Sequence, residues 1–159
     1  MIDGKQILYS KLHSNDIEET KLLIGEYIRS LHIDLSFQDI DNELQSFPHN
    51  YDDPDAAFLI AKHENIICGC VGLKKIDTNI CEMKRLYVRD EYKGHGIGKE
   101  LIKRILEEAK NKGYKKMRLD TLKEMKKAQE LYRQFSFYEI EPYVYNPIEG
   151  TVFMEKILS

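Results

Sequence analysis

The chain is poor in the features that would place it in a special class of protein. Its 159 residues include only 4 prolines and 3 cysteines, and no apolar run approaches the roughly 20 residues of a transmembrane helix. The first residues, Met1–Leu12, lack the basic-then-apolar layout of a secretory signal peptide. Hydrophobic residues make up 42% of the chain and charged residues 32%, which is typical of a soluble globular protein. We therefore expect a cytoplasmic protein with one domain over residues 1–159.

The three cysteines, Cys68, Cys70 and Cys81, are odd in number and indicate no disulfide framework. Cys68 and Cys70 are two positions apart in an apolar run, so we expect them on one face of a strand. A zinc site would need a second pair of ligands at metal-binding spacing, and the sequence has none. We predict buried free thiols that pack as small hydrophobic side chains, and no metal site.

The net charge is only −3, but the charges are distributed unevenly. Residues 84–133 hold 16 Lys and Arg against 8 Asp and Glu, whereas residues 1–83 hold 7 against 15. This asymmetry indicates an anionic partner for the middle segment, and a cationic partner for the acidic region Asp34–Asp55 is an open alternative to solvated surfaces. A nucleic-acid binder would also use a basic segment, but no DNA- or RNA-binding motif is present, so we predict no nucleic-acid partner.

Hydrophobic periodicity predicts the element order β-α-α-β-β-β-α-β-α-β-β. Asn15 with Glu18 resembles the cap of the first helix, and Ser36 with Asp39 that of the second, which Pro48 should end. Three consecutive strand-like runs joined by short turns favour an antiparallel meander, over Ala56–Ala61, Ile66–Leu73 and Ile80–Val88.

A glycine at every second position, Gly94, Gly96 and Gly98, joins the third of these strands to an amphipathic helix. A loop that enters a helix presents unsatisfied backbone N–H groups and a positive dipole end, which together favour phosphate. The sequence does not match a Walker A motif, which needs one more residue between its glycines and a hydroxyl where Glu100 stands. The third glycine of a dinucleotide-binding fingerprint would fall on Lys99.

Three segments in order, Glu82–Val88, Lys93–Gly98 and Ala128–Phe137, resemble the GNAT superfamily of acetyl-CoA-dependent N-acetyltransferases. The resemblance covers nearly the whole chain. It implies an α/β (α+β) fold with a mixed, mostly antiparallel sheet of about six to seven strands flanked by about four helices. It also implies direct transfer of an acetyl group to a primary amine in a ternary complex, without a metal, and family members are often homodimers.

The resemblance assigns the cosubstrate acetyl-CoA to the glycine loop and the strand before it. Backbone amides of the loop would hold the CoA pyrophosphate, the Leu86 N–H would point at the thioester carbonyl, and Val88 would pair with the pantetheine amides. Lys127 is a candidate for the adenosine 3′-phosphate. The implied cofactor-binding set is Leu86, Tyr87, Val88, Lys93, Gly94, His95, Gly96, Ile97, Gly98, Lys99 and Lys127.

Two residues are catalytic candidates by resemblance. Tyr132 matches the tyrosine that protonates the leaving CoA thiolate, and Glu82 matches the glutamate that serves some members as general base, either directly or through water. Three positions depart from the family pattern, with Lys93 in place of Gln or Arg, Met125 in place of a frequent Asn, and Ser136 in place of Gly.

The acceptor amine is open between small molecules, peptides and protein lysines. Tyr143, Tyr145 and Asn146, in the loop before the last strand, and Tyr51 are candidates to border its site. The alternative function is a CoA-binding sensor of the same fold that performs no chemistry. We predict no membrane partner.

Overall fold

The computed structural model describes residues 6–31 and 40–159, and its order of elements is the predicted one. The strands are β1 Ile7–Lys11, β2 Ala57–His63, β3 Ile66–Lys75, β4 Ile80–Val88, β5 Lys116–Thr121, β6 Tyr138–Ile140 and β7 Val152–Ile157. The helices are α1 Ile17–Ser30, α2 Ile40–Ser46, α3 Ile97–Asn111 and α4 Lys126–Gln134. The predicted cap residues Ser36 and Asp39 lie outside the described residues.

The seven strands form one sheet in the order β1-β2-β3-β4-β5-β7-β6. Every neighbouring pair is antiparallel except β4 and β5. These two are parallel because α3, which connects them, returns the chain to the end of the sheet where β4 began. The predicted meander of β2, β3 and β4 and the predicted mixed sheet with about four helices are confirmed.

Two apolar clusters cover the two faces of the sheet. Buried side chains of α3, among them Leu101, Ile102 and Ile105, pack with α4 against one face. Leu23 and Ile24 of α1, with residues at the end of α2, pack against the other face. Within the described part of the chain, no helix has both the length and the apolar character to cross a membrane.

The structure corrects the prediction that Cys68 and Cys70 share a face. Ala61 pairs with Gly69 and Lys62 with Ile67, so Cys68 is the extra residue of a β-bulge. An extra residue reverses the alternation of the strand, and Cys68 packs with the α3 cluster while Cys70 packs with the α1 cluster. The predicted burial of all three free thiols is confirmed, and burial raises the pKa of Cys68 to about 11 and that of Cys70 to about 12.

The predicted helix cap at Asn15 is also wrong. A 3₁₀ turn over Ser14–Asp16 precedes α1, and the carboxylate of Asp16 accepts a hydrogen bond from the His13 backbone N–H at 3.3 Å. Asp16 is buried and forms a 2.6 Å ion pair with Lys62 of β2, so this carboxylate connects the start of α1 to the sheet.

Candidate functional site

The central opening of the fold lies between β4 and β5. The two strands pair over a short stretch only, in which Ile80–Glu82 of β4 lie beside Lys116–Arg118 of β5. Beyond Lys84, a β-bulge sets two β4 residues, Arg85 and Leu86, against a single residue of β3. A bulge bends and twists its strand, so we infer that this one directs the end of β4 away from β5.

Arg85 lies in the bulge. Its φ is 56°, in the left-handed region that a non-glycine residue rarely adopts. The buried guanidinium donates hydrogen bonds from Nε and Nη2 to the two oxygens of Glu43, at 2.9 and 2.6 Å. Burial raises the pKa of Glu43, but the hydrogen bonds and charge of Arg85 outweigh burial, and the pKa of Glu43 lies below its usual range. The pair therefore anchors the bulge to α2.

The glycine loop forms the entrance to α3. Gly94 and Gly96 have φ values of 85° and 78°, and Gly96 is the N-cap of the helix. Both need glycine because of their backbone conformation. Gly98 differs, because its φ is ordinary and an added Cβ would lie 3.8 Å from Leu131 and Val88, an ordinary contact. Neither the turn nor the packing requires glycine at this third position, which lies beside the unsatisfied N–H groups of the first helical turn.

The basic residues predicted near the loop are on the surface. Lys93 forms an exposed 2.8 Å ion pair with Asp90, and such pairs contribute little to stability. His95 and Lys99 are exposed on the loop and the start of α3, and Lys127 is exposed on α4. All of them are thus accessible to an anionic ligand.

The end of β4 presents its two faces differently. Leu86 and Val88 pack against the α3 side of the sheet. The Tyr87 side chain lies on the other side, where its hydroxyl donates to Glu26 at 3.2 Å and its ring lies 5.0 Å from Tyr27. The Tyr87 side chain is therefore committed to α1, and only its backbone is available at the opening.

Tyr132 lines a cavity of about 110 Å³ at the opening, between β4, β5, α1 and the loop before β7. The side chain is 7% exposed, and its ring contacts Phe137 with 5.8 Å between centroids. Burial, and then the neighbouring Tyr27 and Asp120, raise the pKa of Tyr132 well above its usual range. No described residue forms a hydrogen bond with its hydroxyl, and the residue lines this cavity.

Glu82 lies where β4 and β5 are still paired, and it is not among the residues that line this cavity. Its Oε2 accepts a 2.6 Å hydrogen bond from the Tyr143 hydroxyl, and its Oε1 lies 3.5 Å from Lys84 Nζ. Both carboxylate oxygens are therefore engaged by the protein. Tyr143 in turn stacks against the guanidinium of Arg118, 5.2 Å from the ring centroid.

Asp120, near the end of β5, lines the same cavity as Tyr132 and was missed by the sequence reasoning. Asn146 donates from Nδ2 to its Oδ2 at 3.3 Å, and Asn146 Oδ1 accepts from the Ile148 N–H at 2.9 Å. Alternation along β5 could have placed Asp120 on the face of Arg118, but only the opening of the sheet turns it towards a cavity.

The other acceptor-site predictions have mixed outcomes. Asn146 lines the cavity, Tyr143 binds Glu82 instead, Tyr145 is 79% exposed, and Tyr51 is buried in the α1 cluster. Within the acidic region, Asp34 is outside the described residues. None of the described acids of that region lines the cavity.

Residues around α4 complete the site. Met125 is the N-cap and lines the cavity. Gln129 is buried and donates to the Leu122 carbonyl at 2.9 Å, so it holds the turn between β5 and α4, a role that periodicity could not indicate. Ser136, which replaces the usual glycine of the family pattern, has a φ of 72°. The backbone there thus has the conformation that favours glycine.

The comparison with known families and relatives agrees with this geometry. Residues 25–137 match the model of the acetyltransferase (GNAT) family. An uncharacterised N-acetyltransferase of Schizosaccharomyces pombe is 38% identical over 146 residues, covering 91% of this chain and 90% of the relative. One from Dictyostelium discoideum is 30% identical, covering 89% of this chain and 94% of the relative.

Solved structures share the fold. An acetyltransferase from Streptococcus agalactiae superposes with a TM-score of 0.81 at 18% identity, covering 97% of this chain and 99% of that one. A GNAT family acetyltransferase from Elizabethkingia anophelis with acetyl-CoA bound has a TM-score of 0.66 at 24% identity, covering 97% and 99%. This chain belongs to the GNAT acetyltransferase family and is an acyltransferase, because its sequence matches the family and its relatives over most of its length.

Proposed function

We propose that the protein transfers the acetyl group of acetyl-CoA to a primary amine by direct attack in a ternary complex. One observation carries the proposal: the opening between β4 and β5 has the α3 entrance beside it and the free hydroxyl of Tyr132 in its wall. The solved GNAT family acetyltransferase from Elizabethkingia anophelis, which has acetyl-CoA bound, shares this fold.

The glycine loop binds the CoA pyrophosphate in this proposal. Gly94 and Gly96 form a left-handed turn at the helix entrance, where unsatisfied N–H groups and the helix dipole favour an anion. Gly98 leaves the first turn uncovered, so that a diphosphate can approach the main chain. Lys93, His95 and Lys99 add exposed basic side chains around it, and Lys127 is our candidate for the adenosine phosphate.

The end of β4 binds the pantetheine arm. The Arg89 N–H bonds to Cys68 of β3, so by alternation the main-chain groups of Val88 and Leu86 face away from β3, towards the opening. Val88 is then placed to pair with the pantetheine amides like a missing strand, and the Leu86 N–H to bind the thioester carbonyl as it becomes an oxyanion. The Ile97 side chain is buried in the core, so Ile97, like Tyr87, offers only its backbone to this path.

Tyr132 is the proton donor to the leaving thiolate. Acetyl-CoA supplies an acetyl group on a thioester, and the protein's part is to hold that group against the amine and to move protons. The raised pKa of Tyr132 keeps its hydroxyl protonated at neutral pH, so it can donate as negative charge develops on sulfur. Glu82 carries the sequence-based assignment of general base, direct or through water, but its two oxygens already contact Tyr143 and Lys84.

The acceptor is a primary amine on a small molecule or a peptide. A cytoplasmic location, a homodimer, one domain over the whole chain, and the absence of metal, nucleic-acid and membrane partners remain predictions from the sequence.

Calorimetric titration with CoA, followed by an amine panel with acetyl-CoA and detection of free thiol, tests the proposal. We expect CoA to bind and thiol to appear with at least one amine. CoA binding without acetylation of any amine would instead favour the sensor function. Absence of CoA binding would overturn the assignment of the glycine loop.

A further inference from the structure

The cavity beside Tyr132 contains one acidic side chain. Among the described residues that line it, Asp120 is the sole carboxylate, whereas Lys84 and Arg85 are basic. Glu43 already binds Arg85, and Glu82 already binds Lys84, both from outside the cavity lining. The two basic residues of the cavity wall thus already have carboxylate partners, and neither forms an ion pair with Asp120.

Asp120 is held in place but is left incompletely bonded. Asn146 is oriented by the Ile148 N–H, so its amide nitrogen faces Asp120 Oδ2 at 3.3 Å. No lysine, arginine or histidine of the described chain lies within ion-pair distance of Asp120, and no described residue donates a hydrogen bond to its Oδ1. A half-buried carboxylate without a counter-ion is costly, and a bound cation offsets that cost.

Glu82 offers no comparable site. Its two oxygens face Tyr143 and Lys84, its side chain is only 13% exposed, and it lies outside the cavity lining. Each Glu82 oxygen already has a protein partner, whereas Asp120 Oδ1 accepts no hydrogen bond from a described residue, and Asp120 lines the same cavity as Tyr132.

We propose that Asp120 binds the ammonium group of the acceptor and accepts its proton, and that Glu82 is a positioning residue for Tyr143 and Lys84. This inference rests on the proposed acetyl transfer. The protonated amine gives one proton to Asp120 Oδ1, directly or through one water. The nitrogen lone pair then forms the C–N bond at the thioester carbonyl carbon.

The C–S bond breaks as Tyr132 protonates the thiolate, and the second proton of the new amide nitrogen returns to Tyr132. Asp120 then releases its proton to solvent. The net products are the acetylated amine, CoA thiol and one proton. Because the ammonium group is bound by a single carboxylate, the site selects an amine that is positively charged in solution.

The test compares Asp120→Asn, Asp120→Glu and Glu82→Gln in the full chain, with Asp77→Asn as a matched control. Asp77 is exposed in the β3–β4 turn, at the opposite end of β4 from the opening. The readouts are kcat/KM for n-butylamine, cadaverine or lysine, whichever the wild type acetylates best, the KM for acetyl-CoA, and inhibition by the N,N-dimethyl analogue of that amine.

We expect Asp120→Asn to lower kcat/KM for the amine by about 100-fold or more, in the range of general-base removal, with the KM for acetyl-CoA within about twofold of wild type. Inhibition by the charged dimethyl analogue should weaken in the same variant, and Asp120→Glu should recover part of the loss. Glu82→Gln should have a smaller effect, and Asp77→Asn none.

An Asp120→Asn variant with wild-type kcat/KM would overturn the inference while the acetyl transfer itself stands. A loss confined to Glu82→Gln would return the base role to Glu82. A wild-type protein that binds CoA and acetylates no amine would overturn the proposed function and this inference with it.

Discussion

The two ends of the opening are built in different ways. At the α3 entrance, the backbone of Gly94, Gly96 and Gly98 defines the surface, and an added Cβ at the first two positions would meet no atom within 4 Å. At the acceptor end, side chains define it, because Asp120 comes from β5 and its partner Asn146 from the loop before β7. One end is a local property of a short segment, and the other exists only when distant segments meet.

The difference has a consequence for mutation. Changes at the glycine loop should affect ligand binding more than core packing, since an added Cβ meets no atom within 4 Å at Gly94 or Gly96 and only ordinary contacts at 3.8 Å at Gly98. Changes at the acceptor end should affect either stability or turnover, depending on whether the side chain belongs to the scaffold or to the cavity wall.

The largest expected effect on stability is at Glu43. In Glu43→Ala the buried Arg85 loses the carboxylate that binds it at two atoms, and breaking such a pair typically costs about 3–5 kcal/mol. Urea denaturation measures this cost. The control Glu18→Ala, which removes a 3.9 Å pair with Lys21 on the surface, should change the free energy of unfolding by less than about 1 kcal/mol.

The same pair gives a pH dependence. The folded-state pKa of Glu43 is lowered, so its stabilisation is complete above the ordinary glutamate pKa of about 4.3 and is lost as pH falls through the lowered value. The wild type should therefore lose more stability than Glu43→Gln between neutral pH and acid. Parallel pH curves for the two proteins would contradict this role.

The largest expected effect on turnover is at Tyr132. Tyr132→Phe keeps the ring contact with Phe137 and removes the hydroxyl, so kcat should fall by about 100-fold or more while CoA affinity is retained. Tyr9→Phe on β1 is the matched control and should leave kcat unchanged. Unaltered turnover in Tyr132→Phe would show that another group protonates the thiolate.

A smaller effect is expected at Gly98, where glycine leaves room for a ligand and is not required by the backbone conformation. Gly98→Leu should fold, because Leu is a good helix former, but should weaken CoA binding by about tenfold or more, equivalent to about 1.4 kcal/mol. Gly98→Ala is the control, since its Cβ makes only ordinary contacts. Equal CoA affinity in calorimetry for both variants would show that no ligand approaches this turn.

The smallest expected effect is at Ser136. Its left-handed φ of 72° is strained for serine, so Ser136→Gly should raise the free energy of unfolding by about 1 kcal/mol or less, partly offset by the entropy of glycine. Ser136→Ala keeps the strain and should bring no gain. Thermal denaturation of the two variants measures the difference.

Periodicity was sufficient for the order of elements because each helix and strand buries one face, and the spacing of apolar residues records that face. The prediction for Cys68 and Cys70 failed because a β-bulge changes the alternation without a mark in the local pattern. The prediction for Asn15 failed because a 3₁₀ turn shifted the start of α1 to Ile17.

The candidate site divides along the same line. By itself, the sequence determined the fold order, the glycine loop and the position of Tyr132 on its helix, since these depend on residues close together in the chain. Only the tertiary structure decided that Glu82 is enclosed by Tyr143 and Lys84, and that Asp120 faces the cavity with a free oxygen. The physical reason is that the availability of a carboxylate is set by the charges and donors around it, and those come from segments that meet only in the folded protein.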